Sequence, residues 1–294
     1  MIEINEEVVS NFIDSFDKLY IEFMGYGGIV FDAPNEREKV IKNYYACALC
    51  HNMNWDYLCK RVIPDLYIAT KGFKAELVDE ITEEKLASYF QDYPKKHKIE
   101  ADRRLRMLKE LAAYTAENNY RIFDDILKCN SVSGENGLFN LVNTSPVFRD
   151  DPLHKKGNLF IQIILREGLV TVDDEFNTPP SIDYHVIRFF LRNGFMRLDE
   201  KYAERLRKRD QFSLDEVTEL RTAISDCMKY ICIRGSISIS KVGFIAWSIA
   251  RDICTEDAIA CENGASCPMK EICVGLYDVS YRHLREPYCN VGFY

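Results

Sequence analysis

The sequence has no apolar run approaching the ~20 residues that a membrane-spanning helix needs. It also has no internal repeat and no low-complexity tract. Strand signals are scarce. GGIVF (27–31) and GSISI (235–239) are the two short candidates, and neither can found a sheet of ordinary size. Basic residues are in deficit, 38 Lys and Arg against 46 Asp and Glu, for a net charge of −8. That balance argues against broad, non-specific nucleic-acid binding and leaves room only for a local basic groove. The first residues, MIEINEEVVSNF, lack the basic-then-apolar layout of a signal peptide, so a cytoplasmic protein without membrane contact is expected.

What is present is apolar residues at helical spacing and an unusual number of thiols. Apolar residues make up 47% of the 294-residue chain, enough for a sizeable core. The segment 35–67 carries helical periodicity up to Pro64. Thr82 is placed to cap a helix that opens with Glu83 and Glu84. The segment 100–118 is rich in helix formers, with Leu105, Leu108, Ala112 and Thr115 along one face. Ser213 and Glu216 stand at capping-box spacing before a further helix. Breakers fall at 129–137, 172–181 and 261–266. The expectation is a mainly α protein: a helical lobe to about residue 130, a second over 131–253, and a cysteine-rich tail over 254–294. The basic runs KKHK (95–98), RRLR (103–106) and RLRKR (205–209) read as solvated helix faces or loops.

The eleven cysteines are an odd count, and a reducing compartment argues against a disulfide framework. Four of them, Cys254, Cys261, Cys267 and Cys273, fall within one short stretch, separated by six, five and five residues. Four thiolates at short separations suit a [4Fe–4S] cluster, one ligand per iron. Zinc also accepts four thiolates, but its ribbons usually show tight two-residue pairs, and the tail has none. Buried core thiols are the third reading. Cys47 and Cys50 make a two-residue pair followed by Cys59, on a segment whose periodicity reads them as core thiols.

With its proline after Cys267, the tail resembles the iron–sulfur loop of the endonuclease III branch of helix-hairpin-helix DNA glycosylases. SCPMKEIC (266–273) resembles that loop's last two ligands, while the middle gap is longer by an insertion at ENGAS (262–266). Cys289 is then an alternative ligand. A second family signature stands upstream. SIDYHVIRFFLRNGFMRL (181–198) resembles the segment in which an aspartate caps a helix, and this places Asp183 as the catalytic carboxylate. His185 follows, then Arg188 and Arg192 on the same helix. Pro179 and Pro180 keep the approach extended. A carboxylate there stabilises the positive charge that develops on a sugar as its N-glycosidic bond breaks. The family's lyases start the preceding helix with a lysine, and KGNLFIQI puts Lys156 in that place, 27 residues before Asp183. The resemblance makes Lys156 a Schiff-base nucleophile toward C1′. The family's glycine-rich hairpin is replaced by DDPLHKK (150–156), where Lys155, Lys156 and a helix N-terminus take over phosphate contact.

Over more of the chain, the order of segments resembles queuosine-salvage N-glycosidases. HNMNWDYL (51–58), EADRRLRMLKELA (100–112), HKKGNLFIQIIL (154–165), IDYHVIRFFLRNG (182–194) and REPYCNVGFY (285–294) are the parallel elements. The two resemblances imply one fold and one reaction and differ in substrate. The first implies a two-lobed helical glycosylase with a [4Fe–4S] loop, a monomer that releases a damaged or modified base from DNA, nucleoid-associated if so. The second implies a small modified nucleoside or nucleotide. Lys155, His185 and Arg188 are the expected substrate-binding residues, with Trp55 as a stacking face for the base. A third reading, a non-catalytic iron–sulfur interaction module, is less favoured because Asp183 and Lys156 both stand.

Overall fold

The computed structural model describes residues 2–23 and 30–289, and these are mainly helical. The longer helices are α1 (Glu6–Phe23), α2 (Glu36–Leu49), α3 (Ala101–Glu117), α4 (Lys155–Arg166), α5 (Tyr184–Arg192), α6 (Leu214–Gly235) and α7 (Ile239–Asp252). Among the described residues the chain divides into two compact units, 30–178 and 2–23 with 179–289. The division falls at 178/179 and not near 130. Residues 138–143 form a short helix that packs on α4, and α4 packs on α2, so 131–178 share one core with the preceding chain.

In the 30–178 unit, Tyr44 of α2 is the hub. Phe123, Phe148 and Phe160 meet its ring edge-on at 5.6, 4.9 and 5.2 Å. Such edge contacts add to simple burial because the ring edge is positive and the face negative. Tyr45 stacks on Phe73 at 3.7 Å. Asn35 caps α2 by accepting the Glu38 N–H at 2.9 Å. Leu49 ends α2, and Asn52 lies in the left-handed region (φ 49°) just beyond. Helix resumes at Trp55–Tyr57, passes through a π-type turn at Leu58–Val62 and continues over Ile63–Ala69. Pro64 therefore does not stop helix, as its position in the sequence led one to expect. It sits in the first turn after the π segment, where a missing N–H removes no bond.

The other unit is built on α5, which packs chiefly against α7, with α1 against α6 and α7. Phe12 of α1 meets Phe195 and Phe189 edge-on at 5.2 and 6.2 Å. Ile2–Ile4 (β1) and Met196–Leu198 (β2) form a two-stranded antiparallel sheet, with Ile2 opposite Leu198. The candidate GSISI is not a strand. GSISI runs from the last residue of α6 through Ser236, a left-handed cap, into the first turn of α7. Three residues of GGIVF lie outside the described residues, and Val30 and Phe31 are irregular. The caps read from sequence are present. Thr82 accepts the Lys85 N–H at 3.2 Å, and Ser213 and Glu216 form the reciprocal box at 3.2 and 2.8 Å. Among the described residues no helix is long and apolar enough to cross a membrane.

Candidate functional site

Helix α4 begins abruptly. His154 takes a left-handed conformation (φ 51°), and the Asp151 carboxylate accepts the N–H of Leu153 at 3.0 Å and of Lys155 at 2.8 Å. Residue 157 must be glycine, because a Cβ there would strike the Asn143 side chain. This entry aims Lys156 inward, and it is 3% exposed. Its Nζ donates to the Ala48 carbonyl at 2.8 Å and lies 3.3 Å from Met107 Sδ. Burial lowers its pKa from 10.5 to about 8, opposed by the Cys50 thiol and reinforced by the charges of Lys155, Arg103 and Arg104. An amine so placed has a substantial neutral, nucleophilic fraction near neutral pH. Lys155 is also buried, with Nζ 3.9 Å from Cys50 Sγ.

Three further residues complete this cationic neighbourhood, and sequence reasoning gave none of them a role. Arg104 is fully buried. It donates to the carbonyls of Leu49 at 3.3 Å, Lys98 at 3.2 Å and His51. Burial lowers its pKa to about 10. The RRLR run is therefore not simply a solvated face: Arg104 lies on the buried side of α3 and Arg106 on the exposed side. Arg103 donates to His51 Nε2 at 3.1 Å and to Glu100 at 3.3 Å. His51 is 2% exposed, and burial, then the charges of Arg103, Lys156, Arg104 and Lys155, lowers its pKa to about 2. The imidazole is neutral. A local signal did exist, since RRLR sits one helix turn after Glu100, but helical periodicity alone cannot tell a buried arginine from an exposed one.

Trp55 opens the short helical turn after this cluster and is half-buried against the core of the unit. Cys47 and Cys59 are buried in the same core, and burial drives both thiols well up in pKa. A separate cleft of about 310 Å³ lies by Tyr114, Asn118, Arg121, Asp125 and Thr144 and shares no residue with the lysine cluster.

In the other unit, Asp183 does cap α5, accepting the Val186 N–H at 2.9 Å. Its approach is anchored by Arg221 of α6, fully buried, whose Nε and Nη2 donate to the Ile182 carbonyl. Arg188 and Arg192, one turn apart on α5, fasten the cysteine tail. Arg188 bonds both carboxylate oxygens of Glu286 at 2.8 and 2.9 Å. It also bonds the carbonyls of Ala250 and Cys254 and the Nδ1 of His185 at 2.9 Å. All five of its N–H groups are thereby engaged. His185, accepting at Nδ1, carries its proton on Nε2, and its ring lies 4.1 Å from that of Tyr184. Arg192 bonds the carbonyls of Leu284 and Thr255 at 2.9 and 2.6 Å and reaches Cys254 Sγ at 3.4 Å. Gly194 and Gly275 allow the closest approach: a Cβ on the first would strike Val274, and on the second the Arg192 carbonyl.

The four tail cysteines are free thiols, each partly buried. Burial pushes Cys273 up to about 12. The backbone N–H groups of Leu276 and Gly275 oppose this and the thiols of Cys254 and Cys267 reinforce it; the Leu276 N–H bonds the Cys273 carbonyl at 3.2 Å, and the Cys273 thiol meets the Arg192 carbonyl at 3.8 Å. The donor set, with three sulfurs in one neighbourhood and the Arg192 guanidinium reaching one of them, is chemically suited to thiolate ligation. Among the described residues no three His, Cys, Asp or Glu side chains yet stand at metal-binding separation. Cys289 follows Tyr288, whose carbonyl accepts the Phe212 N–H, and the thiol of Cys289 is pushed up by burial and by Glu216. No protein-family model matches the chain, and no curated protein matches it in sequence.

Proposed function

We propose that the protein is an N-glycosylase that releases a damaged or modified base from DNA, with Lys156 as an amine nucleophile. The carrying observation is the buried Lys156 amine, brought to a pKa of about 8 at the first turn of α4. In this reading the base leaves with the bonding pair of the N-glycosidic bond as water adds to C1′, the proton given up by that water balances the one the base takes up, and the resulting hemiacetal opens to the aldehyde. The Lys156 Nζ lone pair adds to C1′ of the opened sugar, and loss of water gives an imine. Asp183 keeps the role that the resemblance implies, a carboxylate whose charge favours the oxocarbenium-like transition state. Cys254, Cys261, Cys267 and Cys273 would hold a [4Fe–4S] cluster, with Arg192 as a donor to the Cys254 sulfur. Such a cluster supplies a rigid covalent tie within the tail. About four irons per chain and no zinc are expected from anaerobically prepared protein, and zinc without iron overturns that part.

Borohydride trapping tests the nucleophile. Wild type should form a reduced protein–DNA adduct on substrate or abasic-site DNA, and Lys156→Gln should form none. Base release without any adduct from wild type removes Lys156 from the reaction. Asp183→Asn keeps the cap, since asparagine caps about as well, and should slow base release by on the order of 100-fold or more. Unchanged release would remove Asp183.

A second reading, a small modified nucleoside as substrate, is favoured by one observation. The run RLRKR offers little charge to a polyanion, because Arg205, Arg207, Lys208 and Arg209 pair with Glu216, Glu200, Glu204 and Glu256. Base release from a free nucleoside, with none from DNA, selects this reading.

A further inference from the structure

Two opposite charges stand unpaired in the cleft of about 310 Å³ beside Tyr114. The Asp125 N–H bonds the Arg121 carbonyl at 2.9 Å, so the two residues are one helical turn apart. Neither side chain has an ion pair or a hydrogen bond among the described residues. The adjacent Asp124, by contrast, takes Arg37 at 2.9 Å. A base ahead of an acid at this spacing is the less favourable order on a helix, so little draws Arg121 and Asp125 together.

The backbone brings them to the cleft by a strained route. Asn119 and Tyr120, just after α3, are both left-handed, at φ 49° and 58°. Asparagine tolerates that region, whereas tyrosine rarely enters it, and such strain gathers at functional sites. Contacts from elsewhere hold the turn. The Tyr120 hydroxyl accepts the Ala75 N–H at 3.2 Å, and the Tyr120 carbonyl accepts from Arg37 at 3.1 Å. The polar groups lining the cleft then divide by role. Asn118 donates to the Tyr114 carbonyl at 2.9 Å, which leaves its Oδ1 as an acceptor. Thr144 donates to the Leu141 carbonyl at 3.2 Å, so the Tyr114 hydroxyl donates to Thr144 at 3.0 Å and keeps only acceptor capacity. The Asn119 side-chain amide has no partner among the described residues and can donate beside Arg121. Ile122 and Leu141 are the apolar part of the lining.

We propose that this cleft binds a small zwitterion, an α-amino acid with an aliphatic side chain, its carboxylate on Arg121 and its ammonium on Asp125. The guanidinium fork matches a carboxylate with two parallel hydrogen bonds, and Asn119 adds a donor. The ammonium has three hydrogens, for Asp125 and the acceptors of Asn118 and Tyr114. The aliphatic side chain lies on Ile122 and Leu141. An anion such as phosphate would meet Asp125 as well as Arg121, and a simple cation would meet Arg121 as well as Asp125. Only a ligand with both charges satisfies the two together. The volume stands at the lower end of the roughly 300–1,000 Å³ of small-molecule sites, which suits a ligand of this size.

L-Leucine is the probe, titrated into the full-length protein and followed by NMR at the Arg121 Nε–H and the backbone amides of Asn119 and Asp125. Saturable shifts are expected. Isocaproate lacks the ammonium and isoamylamine lacks the carboxylate. Each should bind wild type roughly tenfold or more weakly than leucine, because each forfeits one charge-assisted contact. This comparison needs no variant. Arg121 and Asp125 are both exposed, so Arg121→Gln and Asp125→Asn should keep the wild-type urea midpoint. Arg121→Gln should bring leucine down to the affinity of isoamylamine, and Asp125→Asn should bring it down to that of isocaproate. No saturable shift by about 10 mM leucine overturns the site. Equal binding of leucine and either analogue to wild type overturns the zwitterion. None of these measurements involves base release, so failure of the glycosylase reading leaves them intact.

Discussion

Two groups of arginines in this protein do opposite things with the same chemistry. On α5, Arg188 and Arg192 are buried among acceptors, and each N–H of Arg188 has one. On α3, Arg103 and Arg104 are set near other cations, with Glu100 as a nearby carboxylate and an imidazole whose Nδ1 has no partner among the described residues. The first arrangement is closed and holds chain to chain. The second is open in the electrostatic sense: burial lowers the pKa of Arg104 and of Lys156, and neighbouring cations add to the lowering at both. Burial alone does not distinguish them, for Arg188 and Arg104 are both almost fully buried. Partnership does: Arg188 meets a carboxylate as well as carbonyls, whereas Arg104 donates to the carbonyls of Leu49, Lys98 and His51.

The largest effect should come from breaking the closed arrangement. Arg188→Met keeps most of the apolar stem and removes the guanidinium. It leaves Glu286 without its arginine and the Ala250 carbonyl without this donor, while the Cys254 carbonyl keeps only Arg192. Removing one member of a buried pair costs about 3–5 kcal/mol, and urea unfolding should show a loss of that order. Arg205→Gln is the contrasting control, because its pair with Glu216 is about a third exposed on both sides. There the loss should be about 0–1 kcal/mol. Equal losses would mean that the α5 arginines are not the clamp on the tail that their bonds describe. Limited proteolysis within 255–289 should also speed up in Arg188→Met and stay unchanged in Arg205→Gln.

What the sequence disclosed follows the range of the interaction. The caps at Thr82, Asp183 and Ser213 were legible because a cap is decided within four residues by a short side chain and a nearby N–H. The mainly helical character was legible from periodicity and from the scarcity of strand signals. The β1–β2 pair was not, because it joins residues 2–4 to residues 196–198 and each strand is too short to alternate visibly. Pro64 misled because the π turn before it lies in hydrogen-bond register, not in residue type. The candidate site divides in the same way. Lys156 and Asp183 were singled out from local motifs. His51 and Arg104 owe their roles to contacts across about fifty residues of chain, which no spacing reports. Arg188, expected to meet substrate, instead has its donors engaged with Glu286, His185 and the tail.

The open cluster can be read through the pH dependence of stability, and Lys156 carries the sign. Its pKa is about 8 folded against 10.5 for the ordinary amine. Below about pH 8 the amine is charged in both states, and the folded protein bears the full cost of that buried charge. Between the two values the unfolded chain holds the proton and the folded protein has released it, so stability rises with pH across this window. Above it the amine is neutral in both states and the cost is gone. The span corresponds to about 3 kcal/mol. The readout is the difference between wild type and Lys156→Met, since other groups titrate over the same range. Methionine retains the stem and removes the charge. The stability advantage of Lys156→Met over wild type should be largest near pH 7 and shrink as pH rises through 8 to about 10. A gap that stays constant with pH would mean that Lys156 is not held against its charge, and the contrast between the closed and the open arginine groups would then lose its electrostatic basis.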